Sequence, residues 1–173
     1  MLKPSTKRMF NPIFFEWRSF SFPIFYHGIG VDTPKDYIAR VEANQILIKE
    51  RVLRKLKNDI YLGLEFDYQR LGGTDFVLAD IDNVNFELPL GHDGSNNIGI
   101  GLGLIQDNRH NVLNVRKGLF SELAFLHYNP AWGSTYKFTS VLSDTRVYKP
   151  MGKNNVLAVQ LLGQFNFGDI PFN

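Results

Sequence analysis

The chain has 173 residues, enough for one domain with a core, with a formal net charge of +2 and no cysteine. The missing cysteines exclude a disulfide framework, zinc–thiolate sites and cysteine catalysis, and a charge so mild, with no basic run, gives no footing for a nucleic-acid partner. Aromatic residues make up 14% of the chain while the mean hydropathy is only −0.16, as when apolar residues are diluted by alternating polar ones.

In chain order, "FFEWRSFSFPIFY" (14–26) is aromatic and extended, and Pro23 suits a strand end or an edge. "DYIARVEANQILIKERV" (36–52) has a helical composition, but its neighbours make it a long strand, with a bulge near Gln45. "IYLGLEFDYQR" (60–70) has period two. Ile60, Leu62, Leu64, Phe66 and Tyr68 share one face, and Tyr61, Gly63, Glu65, Asp67 and Gln69 share the other. "IGIGLGL" (98–104) sets Ile98, Ile100, Leu102 and Leu104 against Gly99, Gly101 and Gly103. "GLFSELAFLHY" (118–128) groups Leu119, Leu123 and Phe125 opposite Glu122 and Ala124. "TYKFTSVLSDTRVY" (135–148) is β-rich with no clean assignment of faces. "NVLAVQLLGQFNF" (155–167) puts Leu157, Val159, Leu161, Phe165 and Phe167 opposite Ala158, Gln160, Gln164 and Asn166, with Leu162 the exception. The count is about seven long strands.

If the strands run up and down, the long connectors 27–36 and 71–94 fall at one end with 129–134. The turns 54–59, 107–117 and 149–154 fall at the other. Outer-membrane barrels have this asymmetry, with short periplasmic turns and longer external loops. The strands are long enough, at about ten residues, to cross a bilayer at a tilt. Aromatics gather near strand ends, with Tyr68, Tyr128, Trp132, Tyr136, Phe165 and Phe167 at one end and Tyr61 and Tyr148 at the other. Two such girdles mark two water–lipid interfaces. No apolar run approaches the ~18 residues of a membrane helix, so closed strands are the way this chain crosses.

The expected fold is therefore all-β. It is an antiparallel up-and-down transmembrane β-barrel, present over residues 1–173 as one partial barrel. Leu62, Leu64, Phe66, Ile98, Ile100, Leu102, Leu104, Val159 and Leu161 face lipid. Glu65, Asp67, Gly99, Gln160 and Gln164 face a wet lumen. A glycine face weakens a strand unless the wall bends sharply or something packs closely against it. A nucleotide-binding loop does not fit, because G-x-G-x-x-G is not met and no helix follows.

No constellation nominates a catalyst, and the chain reads as a non-enzyme with no cofactor. There is no G-x-S-x-G elbow, and His27, His92, His110 and His127 lack zinc spacing. "DIDNVNFE" (80–87) breaks the calcium-loop pattern at Val84 and Asn85 and reads as a solvated loop. Asp107 with Arg109, and Asp144 with Arg146, lie two apart and share a face. Both read first as turn-stabilising pairs worth ~0–1 kcal/mol, with a periplasmic partner contact as the functional alternative for Asp107 and Arg109.

The stretch "GIGLGLIQDNRHNVLNVRKGLFSELAF" resembles the barrel domain of the bacterial surface antigen family, the BamA/TamA outer-membrane assembly factors. The matching positions are Gly101, Gly103, Asp107, Arg109, Asn111, Asn114, Lys117 and Gly118, with Val115 where the family has proline. "FPIFYHGIGVDT" and "GDIPF" (168–172) extend the likeness, the latter as the entry to a lumen-directed loop. The resemblance implies an internal piece of a sixteen-stranded barrel, lacking the first and last strands, the periplasmic domains and the tip of the lumen loop. It implies residence in the outer membrane of a Gram-negative bacterium, with the export signal outside this chain. The implied partners are outer-membrane lipids, unfolded outer-membrane proteins as clients, and periplasmic or lipoprotein partners. The implied role is aiding insertion or export of those clients. A passive porin-like or surface-antigen barrel and a soluble ligand-binding β-barrel or sandwich are the rival readings.

Overall fold

The computed structural model describes residues 13–28, 38–78, 88–152 and 154–172. They form one antiparallel sheet of seven strands in sequential order, curled into a half-barrel. The strands are β1 (Ile13–Tyr26), β2 (Ala39–Lys55), β3 (Ile60–Leu78), β4 (Ser95–Asp107), β5 (Gly118–Tyr128), β6 (Phe138–Met151) and β7 (Asn155–Gly168). Each pairs with the next in sequence, so β1 and β7 are paired on one side only among the described residues.

The register is staggered. One row of facing residues runs Ile13, Val52, Leu64, Leu102, Phe125, Val141, Phe165. It starts at the first residue of β1, beside the short turns, and ends near the last residue of β7, beside the long connectors. Strands that climb in this way are tilted, as the curling of a sheet into a barrel wall requires.

The turns have local causes. Asn58 and Asp59 both take positive φ, 53° and 61°, and Ile60 N donates to Lys57 O at 3.1 Å. Asn and Asp tolerate the left-handed region that a tight hairpin demands. At the other end Asn129 caps the 3-10 turn Pro130–Trp132 through its side-chain oxygen, which accepts from Ala131 N at 3.0 Å. This connector then docks on the start of β4, where β5 no longer pairs. Trp132 Nε1 and Ser134 Oγ both donate to Ile98 O at 2.8 Å.

Two expectations about the strands need correction. The expected bulge near Gln45 lies between Glu42 and Asn44 and puts its extra residue on β3, where Gly73 has φ +62°. Glycine there takes the left-handed conformation that a bulge needs. β3 also runs on to Leu78, through what the sequence suggested was a connector from 71. The partner strand β2 extends equally far, so backbone pairing outweighs the loop-like composition of "LGGTD".

Alternation sorts the side chains into an inner and an outer face. The outer face is apolar and bare: Leu64 is 64% exposed, Leu102 53% and Leu161 74%. Leu62, Phe66, Ile98, Ile100, Leu104 and Val159 share that face. Glu50, facing Phe15 and Phe66, is a carboxylate in this band. The inner face carries the buried polar groups Glu65, Asp67 and Asp144. The buried apolar cluster is small, Val41, Ala43 and Leu71, with Tyr26, Phe76 and Phe172 packed on it at the long-connector end.

β6, whose faces the sequence left open, alternates Phe138, Ser140, Leu142, Asp144 and Arg146 inward with Thr139, Val141, Ser143, Thr145 and Val147 outward. Tyr61 and Tyr148 fall on the inner face by the same alternation, so they form no outer girdle at the short-turn end. Tyr128 is buried on the inner face and belongs to no outer girdle either. Tyr68 and Trp17 do lie on the outer face, in one register row with Ile48.

Candidate functional site

The inner face of β4 explains the rest of the site. Gly99, Gly101 and Gly103 give it a bare floor between β3 and β5, and side chains from both sides lie across that floor. Asp67, Gly99 and Tyr128 face one another in register. Tyr128 Oη donates to Asp67 Oδ2 at 2.7 Å, spanning β4 completely. A Cβ on Gly99 would sit 2.6 Å from the Tyr128 ring, and one on Gly103 would overlap the Glu65 carboxylate. At Gly101 a Cβ would overlap the backbone carbonyl of Phe125. Glycine is needed here twice over, for close side-chain approach and for close strand approach.

A second bridge reaches further. Arg51 on β2 contacts Glu65 on β3, Nε to Oε1 at 2.7 Å. Its Nη2 donates to Glu122 Oε1 on β5 at 2.6 Å. Three strand spacings amount to ~14 Å on a flat sheet, and Glu122 lies four residues along β5 from Leu126, the residue in register with Arg51, which puts it out of reach there. Curling brings the inner positions together and makes the bridge possible. Glu65 and Asp67 are 7% and 2% exposed, so this network sits out of bulk water. Gln69 Nε2 also donates to Asp67 Oδ2, at 2.7 Å, and Lys49 Nζ lies 3.9 Å from that oxygen. Tyr128 is stacked on Phe138 with ring centroids 4.0 Å apart. Lys49, Arg51, Glu65, Asp67, Gln69 and Tyr128 border a cavity of about 450 Å³.

Each proposed site residue can now be located. Glu65, Asp67 and Gly99 belong to the network just described. Gln160 Nε2 donates to Asp144 Oδ1 at 3.0 Å, and Arg146 holds the same carboxylate. Gln164 Nε2 reaches Ser140 Oγ at 3.5 Å, also on the inner face. At the β4–β5 turn Arg109 grips Asp107 with two donors, Nε to Oδ1 at 2.8 Å and Nη2 to Oδ2 at 2.7 Å, and its guanidinium lies over the Phe120 ring. That hydrogen bond holds the Arg109 guanidinium above its ordinary range. Asn111 Oδ1 accepts from Leu113 N and Asn114 N, and Gly118 at φ +122° packs against the Arg109 backbone. The carbonyl of Lys117 accepts from His110 N at 3.4 Å. Within the chain these motif residues build the turn itself.

The sequence reading missed Arg51 and Lys49, because the faces of β2 were unassigned, and misplaced Tyr128. Parity was the available signal: Arg51 faces Glu65 once β2 and β3 are paired antiparallel through the 56–59 turn. "GDIPF" does turn inward, since Phe172 packs on Phe76 at 5.5 Å and its N donates to Leu90 O. "DIDNVNFE" and most of "HGIGVDT" lie outside the described residues. Among the described residues no group of three His, Asp or Glu could hold a metal ion.

A test of the glycine floor follows. Gly101→Ala should destabilise the fold by about 1–3 kcal/mol, the range for forced overpacking. Gly72→Ala should change it far less, because the nearest atom to its added Cβ is a side-chain nitrogen of Arg70 at 3.9 Å. Urea unfolding of the two variants beside the parent checks the contrast.

No family model matches the chain, and no curated protein or solved structure matches it.

Proposed function

We propose that this chain is wall from a transmembrane antiparallel β-barrel of a bacterial outer membrane, belonging to a protein of the BamA/TamA assembly type that aids insertion or export of outer-membrane proteins. One observation carries the barrel part. Its outer face is apolar and exposed, while its inner face buries charged and polar groups, Glu65, Asp67, Asn97 and Asp144, beside apolar ones; a water-soluble sheet would bury the apolar face instead. Tilted strands and longer connectors at one end point the same way. The assembly role rests on the glycine strand and the Asp107–Gly118 turn, whose residues resemble that family. No covalent chemistry is involved; unfolded outer-membrane proteins would be the clients, with periplasmic or lipoprotein partners alongside.

The test uses the full-length gene product in its own host. The barrel reading expects it in the outer-membrane fraction, resistant to carbonate extraction. Recovery as a soluble protein would sink that reading. Depletion should lower the amounts of other folded outer-membrane barrels; a depleted cell with normal barrel levels would leave a passive barrel instead.

A further inference from the structure

Charge is divided between the two ends of the sheet. In sequence, the connectors 27–36 and 79–94 contain six carboxylates and one lysine, whereas 54–59, 107–117 and 149–154, the short turns with their adjoining strand ends, contain eight Lys or Arg and two carboxylates. Both of those carboxylates are already held, Asp59 by Lys55 and Asp107 by Arg109, each at 2.7 Å. Arg54 and Lys149 continue the outer face beyond Val52 and Val147, at the lower margin of the apolar band. Lys57, Arg116 and Lys117 are exposed in the turns beside them. Between these cations the β4–β5 turn presents Val112 and Leu113, 62% and 99% exposed.

We propose that this short-turn rim binds the phosphate headgroups of anionic phospholipids in the leaflet it meets, which also fixes the direction of the barrel in the bilayer. The proposal rests on the barrel reading above. A Lys or Arg at the margin of an apolar band lays its stem on acyl chains and its charge among headgroups. An apolar tip among cations is the pattern of an interfacial anchor. The long connectors carry the opposite sign of charge in sequence, so the two ends are not interchangeable.

The experiment refolds the full-length gene product from urea into phosphatidylcholine vesicles with and without phosphatidylglycerol, and measures the folded, inserted fraction at low and high salt. The anionic lipid should favour insertion, and salt should erase the advantage because exposed charges are screened. In the variant combining Arg54→Gln, Lys57→Gln, Lys117→Gln and Lys149→Gln the advantage should shrink by roughly five-fold for each cation removed. The matching variant with Arg54→Lys and the three lysines changed to Arg should keep it. Equal insertion into both vesicles by the parent, or an advantage that survives the four Gln substitutions, overturns the proposal. Failure to insert into either vesicle overturns the barrel reading itself. Should the Gln variant not fold, the salt dependence of the parent decides alone.

Discussion

Arg51→Met is expected to lower stability by about 3 kcal/mol, the low end for breaking a buried ion pair from one side. The guanidinium is the only cation at salt-bridge distance from Glu65 and Glu122 among the described residues, and the two carboxylates come from strands two apart. Removing it leaves both facing each other across the glycine floor with no cation at salt-bridge distance among the described residues. Denaturant unfolding of the folded protein measures the loss. The triple variant Arg51→Met, Glu65→Gln, Glu122→Gln should recover most of it, because no charge is then stranded. A single variant as stable as the parent would mean that the bridge contributes nothing. Lys55→Met, at a half-exposed pair with Asp59, is the contrasting case, where little loss is expected because solvent screens the pair.

Leu102→Arg tests the opposite face of the same strand. Leu102 lies midway along β4, between Leu64 and Phe125, and points outward. In a bilayer an arginine there should cost about 2–4 kcal/mol, falling toward zero for outward positions near the strand ends. Leu157→Arg, close to the start of β7, should accordingly be mild. This depth gradient is what a soluble sheet would not produce, since an arginine on a water-facing leucine should cost little anywhere along the strand. Unfolding free energies of both variants in lipid, set beside the parent, give the gradient. Equal, small effects at both positions would remove the lipid from the account.

Adjacent residues Gly101 and Leu102 thus fail for unrelated reasons, one by crowding and one by solvation. That contrast shows where sequence reading succeeds. In β3, β4 and β7 alternation of aliphatic with polar or glycine residues assigned the faces, Leu162 in β7 being an exception, because period two segregates them. β2 and β6 resisted, since Glu50, Arg51 and Lys49 on one and Ser143, Asp144 and Thr145 on the other put polar groups on both faces.

The sequence by itself determined an all-β chain of seven antiparallel strands, long at one set of connectors and short at the other, with one face of β4 given to glycine. These are local consequences of alternation, turn residues and spacing. Only the tertiary structure decided what the glycine is for. Tyr128 meets Asp67, and Arg51 meets Glu122, across strands that separate them by 61 and 71 residues. No local rule pairs residues so far apart. The curl of the sheet does, by shortening the distance across its inner face until side chains from non-neighbouring strands touch.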